Sequence, residues 1–560
     1  MAETAFDAVI IGTGHNGLAA AIQLARHGWK VAVFEAKDEA GGAVKTRALT
    51  LPGFRHDVAA MNLSLFAGSP FLKEHGEALG RHGLAFAPAE HCFASVFPDG
   101  TWFGVSKDLD TTLARLNALS PADAAAWSRM LEGFGRDAPH IFGLLGNEMP
   151  SLATAKVAWK AWRQNGTAWT LDMLRFLTMP VRSWADSHFT DPRVKATVAA
   201  WGMHLDFPPD VAGGALFPYL EAMANQAFGM VIGKGGADTM IKAMTSYLGE
   251  LGGEIHLNTP VAEVMTEAGR ATGIRLADGR SITASRAVIA NVTPQLLFGR
   301  LLKQGSGKPA LDAKFKAFRP GPGTMMLHLA LDALPRWTAG EELQQFAYVH
   351  VAPSLGYMSR AYAQAIDGLL PEAPVLVVGQ PTAIDPSRAP DGKHILWVQV
   401  RVLPKHVTGD AAGLIPGTSW SDIKDAYAER VIDLIEAHAP GLRASILAKA
   451  VASPDDLEAE NPCLVGGDNL SGSHQLDQNF LFRPVAGYSR YAMPLGRLFM
   501  CGAATWPGAG TGAGSGYLLG RKLAGRGARF RLNSHGFSCC GCENPSISAH
   551  LEACVLMETK

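Results

Sequence analysis

Six residues near the amino terminus, Gly12-Thr13-Gly14-His15-Asn16-Gly17, have the types and spacing of a turn that can hold a pyrophosphate. Gly12 permits the tight turn, Gly14 lets the backbone approach phosphate oxygens, and Gly17 lets a helix pack closely on a sheet. The N-terminus of the helix that follows this turn would then face the phosphates with free N–H groups, with His15 and Asn16 beside them. Glu35 stands 21 residues beyond Gly14, placed to accept hydrogen bonds from both ribose hydroxyls and to repel a 2′-phosphate. Ala36, next to it, completes the dinucleotide set. Other chemistry lacks its signature: no GxSxG elbow, HExxH or paired zinc spacing occurs, and the GSGK at 305–308 lacks the remaining P-loop residues.

The elements needed to position these groups are in register. Asp7 to Ile11 (DAVII) reads as a strand running directly into Gly12, and LAAAIQLARHG after Gly17 has apolar residues at helical spacing. Lys30 to Glu35 (KVAVFE) reads as a second buried strand, completing a βαβ unit. Residues 230–300 predict a Gly turn, an amphipathic helix over about 237–251, and short strands separated by Gly-Gly, Ala-Gly-Arg and Asp-Gly turns. Near the end, Leu498 to Cys501 predicts a strand, followed by a Gly/Ala/Pro loop and a helix beginning near Gly514.

The chain of 560 residues carries 50 basic and 51 acidic side chains, a net charge of −1 that gives no electrostatic reason to expect nucleic acid. With 48% apolar and 18% charged residues it is too hydrophobic for disorder and ample for a large core. No apolar run of spanning length appears, and MAETAFDAVIIG lacks the basic start of a signal peptide, so a cytoplasmic protein is expected. Only Cys92, Cys463 and Cys501 precede residue 530, which excludes a disulfide framework for the body.

The continuation DEAGGAVKTR, with Gly41-Gly42 and Arg47, resembles the extended dinucleotide motif of FAD-dependent oxidoreductases of the amine oxidase and phytoene desaturase superfamily. The 230–300 block and GRLFMCGAATWPGAGTGAGSGYLLGRKLAG are similar to that superfamily's later FAD segments, in the same order. The stretch from PDGKHILWVQVRVLP to FRPVAGYSRY is most similar to the phytoene desaturase-like branch that includes pyridine nucleotide-disulfide oxidoreductase domain-containing protein 2. The resemblance implies FAD as cofactor. It also places Gly41, Gly42 and Arg47 toward the pyrophosphate and ribityl chain, Val261 at the adenine, and Gly502, Ala503, Gly512 and Ala513 in the carboxy-terminal FAD motif. Ala503 departs from the acid that many relatives carry there. A second helix start can stabilise charge arriving on the reduced flavin.

The implied fold is α/β: a Rossmann-like FAD-binding domain assembled from 1–65, 230–300 and 491–527, with an interleaved α+β substrate domain from 66–229 and 301–490. Flavin carries the difficult step, and His56 and His474 are the candidates for handling a proton. The preferred activity is a dehydrogenase or desaturase that removes hydride from an apolar small molecule, a polyene or other lipid-like substrate, and passes electrons to oxygen or a quinone. A flavin amine oxidase and a non-catalytic FAD-stabilised scaffold are the alternatives. No second GxGxxG follows a strand, which argues against reduction by NAD(P)H.

Trp159, Trp162, Trp169, Trp184 and Trp201 are interleaved with Lys156, Lys160, Arg163, Arg175 and Arg182. Two readings stand side by side: a peripheral membrane contact at headgroup depth, or helical core with basic edges. The tail over 528–560 carries Cys539, Cys540, Cys542 and Cys554 at spacings that match no zinc motif, so no metal is expected and the tail reads as a disordered extension.

Overall fold

The computed structural model describes residues 5–528. Two seven-stranded sheets organise them. Ala5–Ile11 (β1) and Val31–Phe34 (β2) are continuous β-branched and apolar runs, as strands buried on both faces require. They pair in parallel, and β2 continues to Glu254–His256 (β5). On the other side of β1 lies Ser281–Ala290 (β8), also parallel. The outer edge of β8 is shared: residues 281–283 pair with Arg270–Leu276 (β7), itself hairpinned to Val261–Glu267 (β6), whereas 288–290 pair in parallel with Leu498–Met500 (β14). One sheet is thus assembled from the first, middle and last parts of the chain.

Helix His15–Arg26 (α1) crosses from β1 to β2, buried from Asn16 to Ala25 by alanine and leucine. It begins two residues before Gly17, earlier than the sequence pattern indicates, because the first-turn N–H groups need no intrahelical partner and Gly14 serves as the cap. Asp238–Glu250 (α6) and Gly514–Ala528 (α7) pack beside it. Pro70–Arg81 (α2), capped by Ser69, lies beyond the expected boundary at residue 65, yet its Phe71, Ala78 and Leu79 join the same core. Likewise Phe298 and Phe315 stack at 4.1 Å under the opposite face of this sheet, so the chain just past 300 packs with the cofactor side.

The second sheet has the order β13-β9-β12-β11-β10-β3-β4, built from His91–Val96 (β3), Trp102–Ser106 (β4), Gly323–Leu331 (β9), Tyr348–Val351 (β10), Val375–Gly379 (β11), His394–Leu403 (β12) and Ile446–Ala452 (β13). Its alternating strands divide the side chains. Leu327, Val349, Val378, Val398 and Val400 enter one core, while Phe93, Met326, Tyr348, Val377 and Trp397 face a helical layer containing Pro121–Leu145 (α3) and Leu216–Phe228 (α5). Leu152–Thr178 (α4), begun by a Ser151–Thr154 capping box and kinked at Gly166, leans on α3. No helix among the described residues is long and apolar enough to cross a membrane. Cys92, Cys463 and Cys501 are free thiols, and the cysteine-rich tail past Ala528 lies outside the described residues.

Candidate active site

β1 delivers Gly12 at φ 93°, a left-handed conformation that only glycine adopts cheaply, and its N–H is held by the Phe34 carbonyl at 2.8 Å. Asn291, just past β8, reaches over this turn. Its amide nitrogen lies 3.4 Å from the Gly12 carbonyl and 3.3 Å from that of Gly14. A Cβ on Gly14 would meet that amide at 2.9 Å, one on Gly17 would stand 2.5 Å from the Gly12 carbonyl oxygen, and one on Gly42 would press on the Gly14 Cα at 3.2 Å. Three backbone segments therefore converge with no room for side chains. No side chain caps α1, and its first turn holds no acidic residue, so its leading N–H groups are left for an anion.

Glu35 sits at the rim. Its carboxylate accepts hydrogen bonds from the Thr13 N–H at 2.9 Å, the Thr13 hydroxyl at 2.6 Å and the Lys37 N–H at 3.1 Å. The Asn258 and Thr259 N–H groups bond to the Lys37 and Glu35 carbonyls, which brings the half-buried Val261, at the head of β6, close to the exposed Ala36. The Arg47 guanidinium donates to Glu39 at 2.6 Å and Glu460 at 2.9 Å. Buried Lys45 also donates to Glu460, at 2.8 Å. Gly41 and Gly42 lie in the tight turn before these cations, where a Cβ on Gly41 would be 2.4 Å from the Val44 carbonyl.

The carboxy-terminal loop meets the amino-terminal turn. Gly516 in α7 donates to the Asn16 side-chain oxygen at 3.1 Å, and a Cβ there would lie 1.7 Å from the Asn16 carbonyl oxygen. His15 Nε2 is 3.1 Å from the Gly510 carbonyl, and a Cβ on Gly502 would meet Asn291 Oδ1 at 2.9 Å. The Thr511 hydroxyl donates to the Asn62 carbonyl at 3.3 Å. Ala503 has no acid to offer, but its carbonyl accepts two hydrogen bonds from buried Arg483, at 3.0 and 2.7 Å. Gly512 runs beside Leu65, which is 49% exposed, and buried Ala513 leads into α7, whose first turn holds no acid. Two adjacent helix starts without acidic residues, glycines at every close approach and an open apolar side chain fit a diphosphate joined to a flat ring.

The two histidines take different places. His56 Nε2 is 2.7 Å from the Thr50 hydroxyl, and its ring stands edge-on to His328 at 5.4 Å. Burial, reinforced by Arg388, pulls the His56 imidazole down to about 4. His474 Nε2 accepts the Ala509 N–H at 2.9 Å, which ties it to the carboxy-terminal loop; burial and then Arg483 hold it well below the usual histidine range. Both rings are therefore neutral near pH 7, and only His474 touches the cofactor loops. Beside His56, fully buried Arg388 pairs with Asp57 and donates to the Gly233 carbonyl at 2.6 Å; Asp57 accepts the Ala237 N–H at 2.8 Å. That pair locks the chain before α6 to the turn at 385–388.

The inner face of the second sheet abuts this assembly through Met61 and Asn62. A Cβ on Gly379 would lie 3.0 Å from the Met61 sulfur, and Asn62 is bonded to Thr511. Phe93, Trp201, Tyr348 and Trp397 form a chain of ring contacts there, at 5.2 to 6.2 Å. The five clustered tryptophans divide between the two readings of the sequence. Trp184 and Trp201 are core, Trp169 is half-buried and donates to Asp137 at 3.0 Å, and Trp159 and Trp162 on α4 are 61% and 44% exposed.

Asn291 and Thr13 escaped the sequence reading. Their one signal is the position of polar residues at the carboxyl ends of parallel strands, where ligands gather.

A family model described as flavin containing amine oxidoreductase matches residues 17–524. Pyridine nucleotide-disulfide oxidoreductase domain-containing protein 2 of Mus musculus is 29% identical over 548 residues, covering 90% of this chain and 91% of that protein. A phytoene desaturase (neurosporene-forming) of Cereibacter sphaeroides is 25% identical over 513 residues, covering 90% and 91%. Among solved structures, an oxidoreductase from Methanosarcina mazei superimposes with a TM-score of 0.59 at 18% identity, covering 92% of this chain and 99% of that one, which establishes the fold.

Proposed function

Because the chain belongs to the flavin containing amine oxidoreductase family and is an FAD-dependent oxidoreductase, we propose that it is a dehydrogenase or desaturase acting on an apolar, polyene or lipid-like molecule. The observation that carries this reading is the aromatic and aliphatic layer of Phe93, Trp201, Met326, Tyr348 and Trp397 between the second sheet and its helices, which abuts the cofactor side through Met61 and Asn62. Such a layer binds hydrocarbon by excluding water. The phytoene desaturase and the zeta-carotene desaturase among its relatives point the same way.

Bound FAD supplies two-electron acceptance from a C–H bond. The chain's own residues do the rest. The starts of α1 and α7 present N–H groups to negative charge, Gly14, Gly42 and Gly502 leave space for the backbone to close on the diphosphate, and Glu35 holds the ribose. Val261 would line the adenine, and Gly512 with Ala513 the ring, when FAD is bound. His474 fixes the loop as a neutral acceptor, and His56 is a packing partner of His328. Electrons leave to oxygen or a quinone. Trp159 and Trp162, with Lys156 and Arg163 alongside, rest on a membrane surface from the cytoplasmic side and admit the substrate.

Anaerobic titration of the yellow holoprotein tests the reading. A C40 polyene or a comparable long-chain apolar donor is expected to bleach the flavin, whereas short primary amines leave it oxidised. Bleaching by amines alone would refute it.

A further inference from the structure

Glu221, in the middle of α5, lies deep in the chain yet keeps accessible surface, as do Phe217, Leu220 and Ala224 on the same stripe. A deep side chain with accessible surface faces an internal space. Its carboxylate forms no ion pair among the described residues and has one long contact, with the Asn225 amide at 3.4 Å. Asn225 spends its amide mainly on the Glu221 carbonyl, at 2.8 Å, and its own side-chain oxygen is buried without a partner. Across from α5 stands Tyr348 on β10, 4% exposed, whose hydroxyl donates to no described residue. Tyr348 is paired with Gly379, against Met61, one residue from the Asn62 carbonyl that holds Thr511. A short run of contacts thus leads from the cofactor loop to the space that Glu221 faces.

We propose that Glu221 is the proton acceptor of the reaction, taking a proton from the substrate carbon next to the one that yields hydride. The inference rests on the apolar-substrate reading above. Two hydrogens leave neighbouring carbons. The hydride goes with its electron pair to the flavin, the electron pair of the second C–H bond becomes the new C=C bond, and that proton forms an O–H bond on Glu221. The acid then loses it to water before the next turnover.

Electrostatics suit the task. Burial pushes the Glu221 carboxyl up to about 7, against a small opposing pull from Asn225, so it is ionised in a substantial fraction near neutrality and strong enough as a base. The charged groups around it are few: Tyr348 faces it from β10, with Arg401 of β12 and the Asp57–Arg388 pair behind, and Asp137 of α3 is engaged by the Tyr219 hydroxyl at 3.3 Å. His56 and His474, held neutral by burial, are weaker bases.

The test uses the holoprotein as wild type, Glu221→Gln and Glu221→Asp. All three are expected to retain equal FAD content. Flavin bleaching by a polyene should rise with pH through about 7 in wild type, fall by about 10²–10⁴-fold with loss of that limb in Glu221→Gln, and recover the limb in Glu221→Asp. Independently of turnover, the infrared difference between about pH 5 and about pH 9 should contain a carboxylic-acid band that titrates near neutrality and is absent from Glu221→Gln. Equal bleaching and an unchanged limb in Glu221→Gln overturn the proposal alone. It is likewise overturned if that band is missing from wild type, or if a long-chain alkylammonium binds wild type and loses binding in Glu221→Gln, which makes the carboxylate a cation holder. A wild-type flavin that no polyene bleaches overturns the apolar-substrate reading and this proposal with it.

Discussion

The contact between α1 and α7 offers a sharp test of how the cofactor is gripped. A methyl group added at Gly516 would stand 1.7 Å from the Asn16 carbonyl oxygen, so the two helix starts must part by about 1.3 Å to restore the 3.0 Å below which such contacts do not occur. The obstacle is backbone, and no side-chain rotation relieves it. Overpacking of this kind costs about 3 kcal/mol at the upper end of the usual range. The same displacement moves both helix starts away from the anion they face, and about 3 kcal/mol taken from binding is about a 100-fold loss of FAD affinity. Gly135, in the middle of α3, is the control: nothing lies within 4 Å of its added methyl, and alanine there should stabilise by about 0.5–1 kcal/mol. Fluorescence titration of apoprotein with FAD, together with thermal unfolding, reads both quantities. Gly516→Ala with wild-type affinity and melting temperature would refute the placement of the two helix starts around one ligand.

Arg388→Leu should destabilise by about 3–5 kcal/mol in urea unfolding, because it leaves fully buried Asp57 without its cation, while Asp57→Asn should cost less because Asp385 still stands 3.4 Å from the guanidinium, and the double variant Asp57→Asn/Arg388→Leu recovers part of the loss. Acid sensitivity follows from the buried imidazoles. His56 and His328 are pulled down to about 4 and about 3 by burial, so below the ordinary histidine value the unfolded chain binds protons that the folded one does not. Stability is then full above about pH 6.5 and is lost as pH falls toward 4; His328→Phe should remove one proton from the slope of urea midpoint against pH, and an unchanged slope contradicts it. Glu35→Ala is expected to weaken FAD retention by more than the loss of a ribose contact, since Thr13 loses its acceptor and the turn its brace, and equilibrium dialysis gives the change.

The opening βαβ unit was legible because glycine, β-branched runs and helical spacing are local properties, and β1, α1 and β2 need little else to be recognised. The late strand and helix at 498–528 were legible for the same reason. The ion pairs of Arg47 were not, since Glu39 and Glu460 become its neighbours only after the chain has folded. Asn291 shows the same limit from the other side. It is one unremarkable amide in sequence, yet it lies within contact of what would be side chains on Gly12, Gly14, Gly17 and Gly502. That α2 and Phe315 join the cores of the first sheet was not legible either, because packing partners, rather than changes of composition, decide which core a helix joins. For Glu221, the sequence offers an acidic residue in an amphipathic helix, and nothing local tells a buried carboxylate from a solvated one.

The junction of β14 and α7 with β1 and α1 also bears on biosynthesis. A ribosome delivers Gly516 some 500 residues after Asn16, so a nascent polypeptide has no complete coenzyme pocket until that whole stretch has emerged. Central β1 must wait for β8, its distant neighbour in sequence, and contacts closing across some 500 residues are slow to form. Flavin therefore enters last, and a product truncated before β14 should emerge colourless, with the sheet edge at β8 left open to other strands.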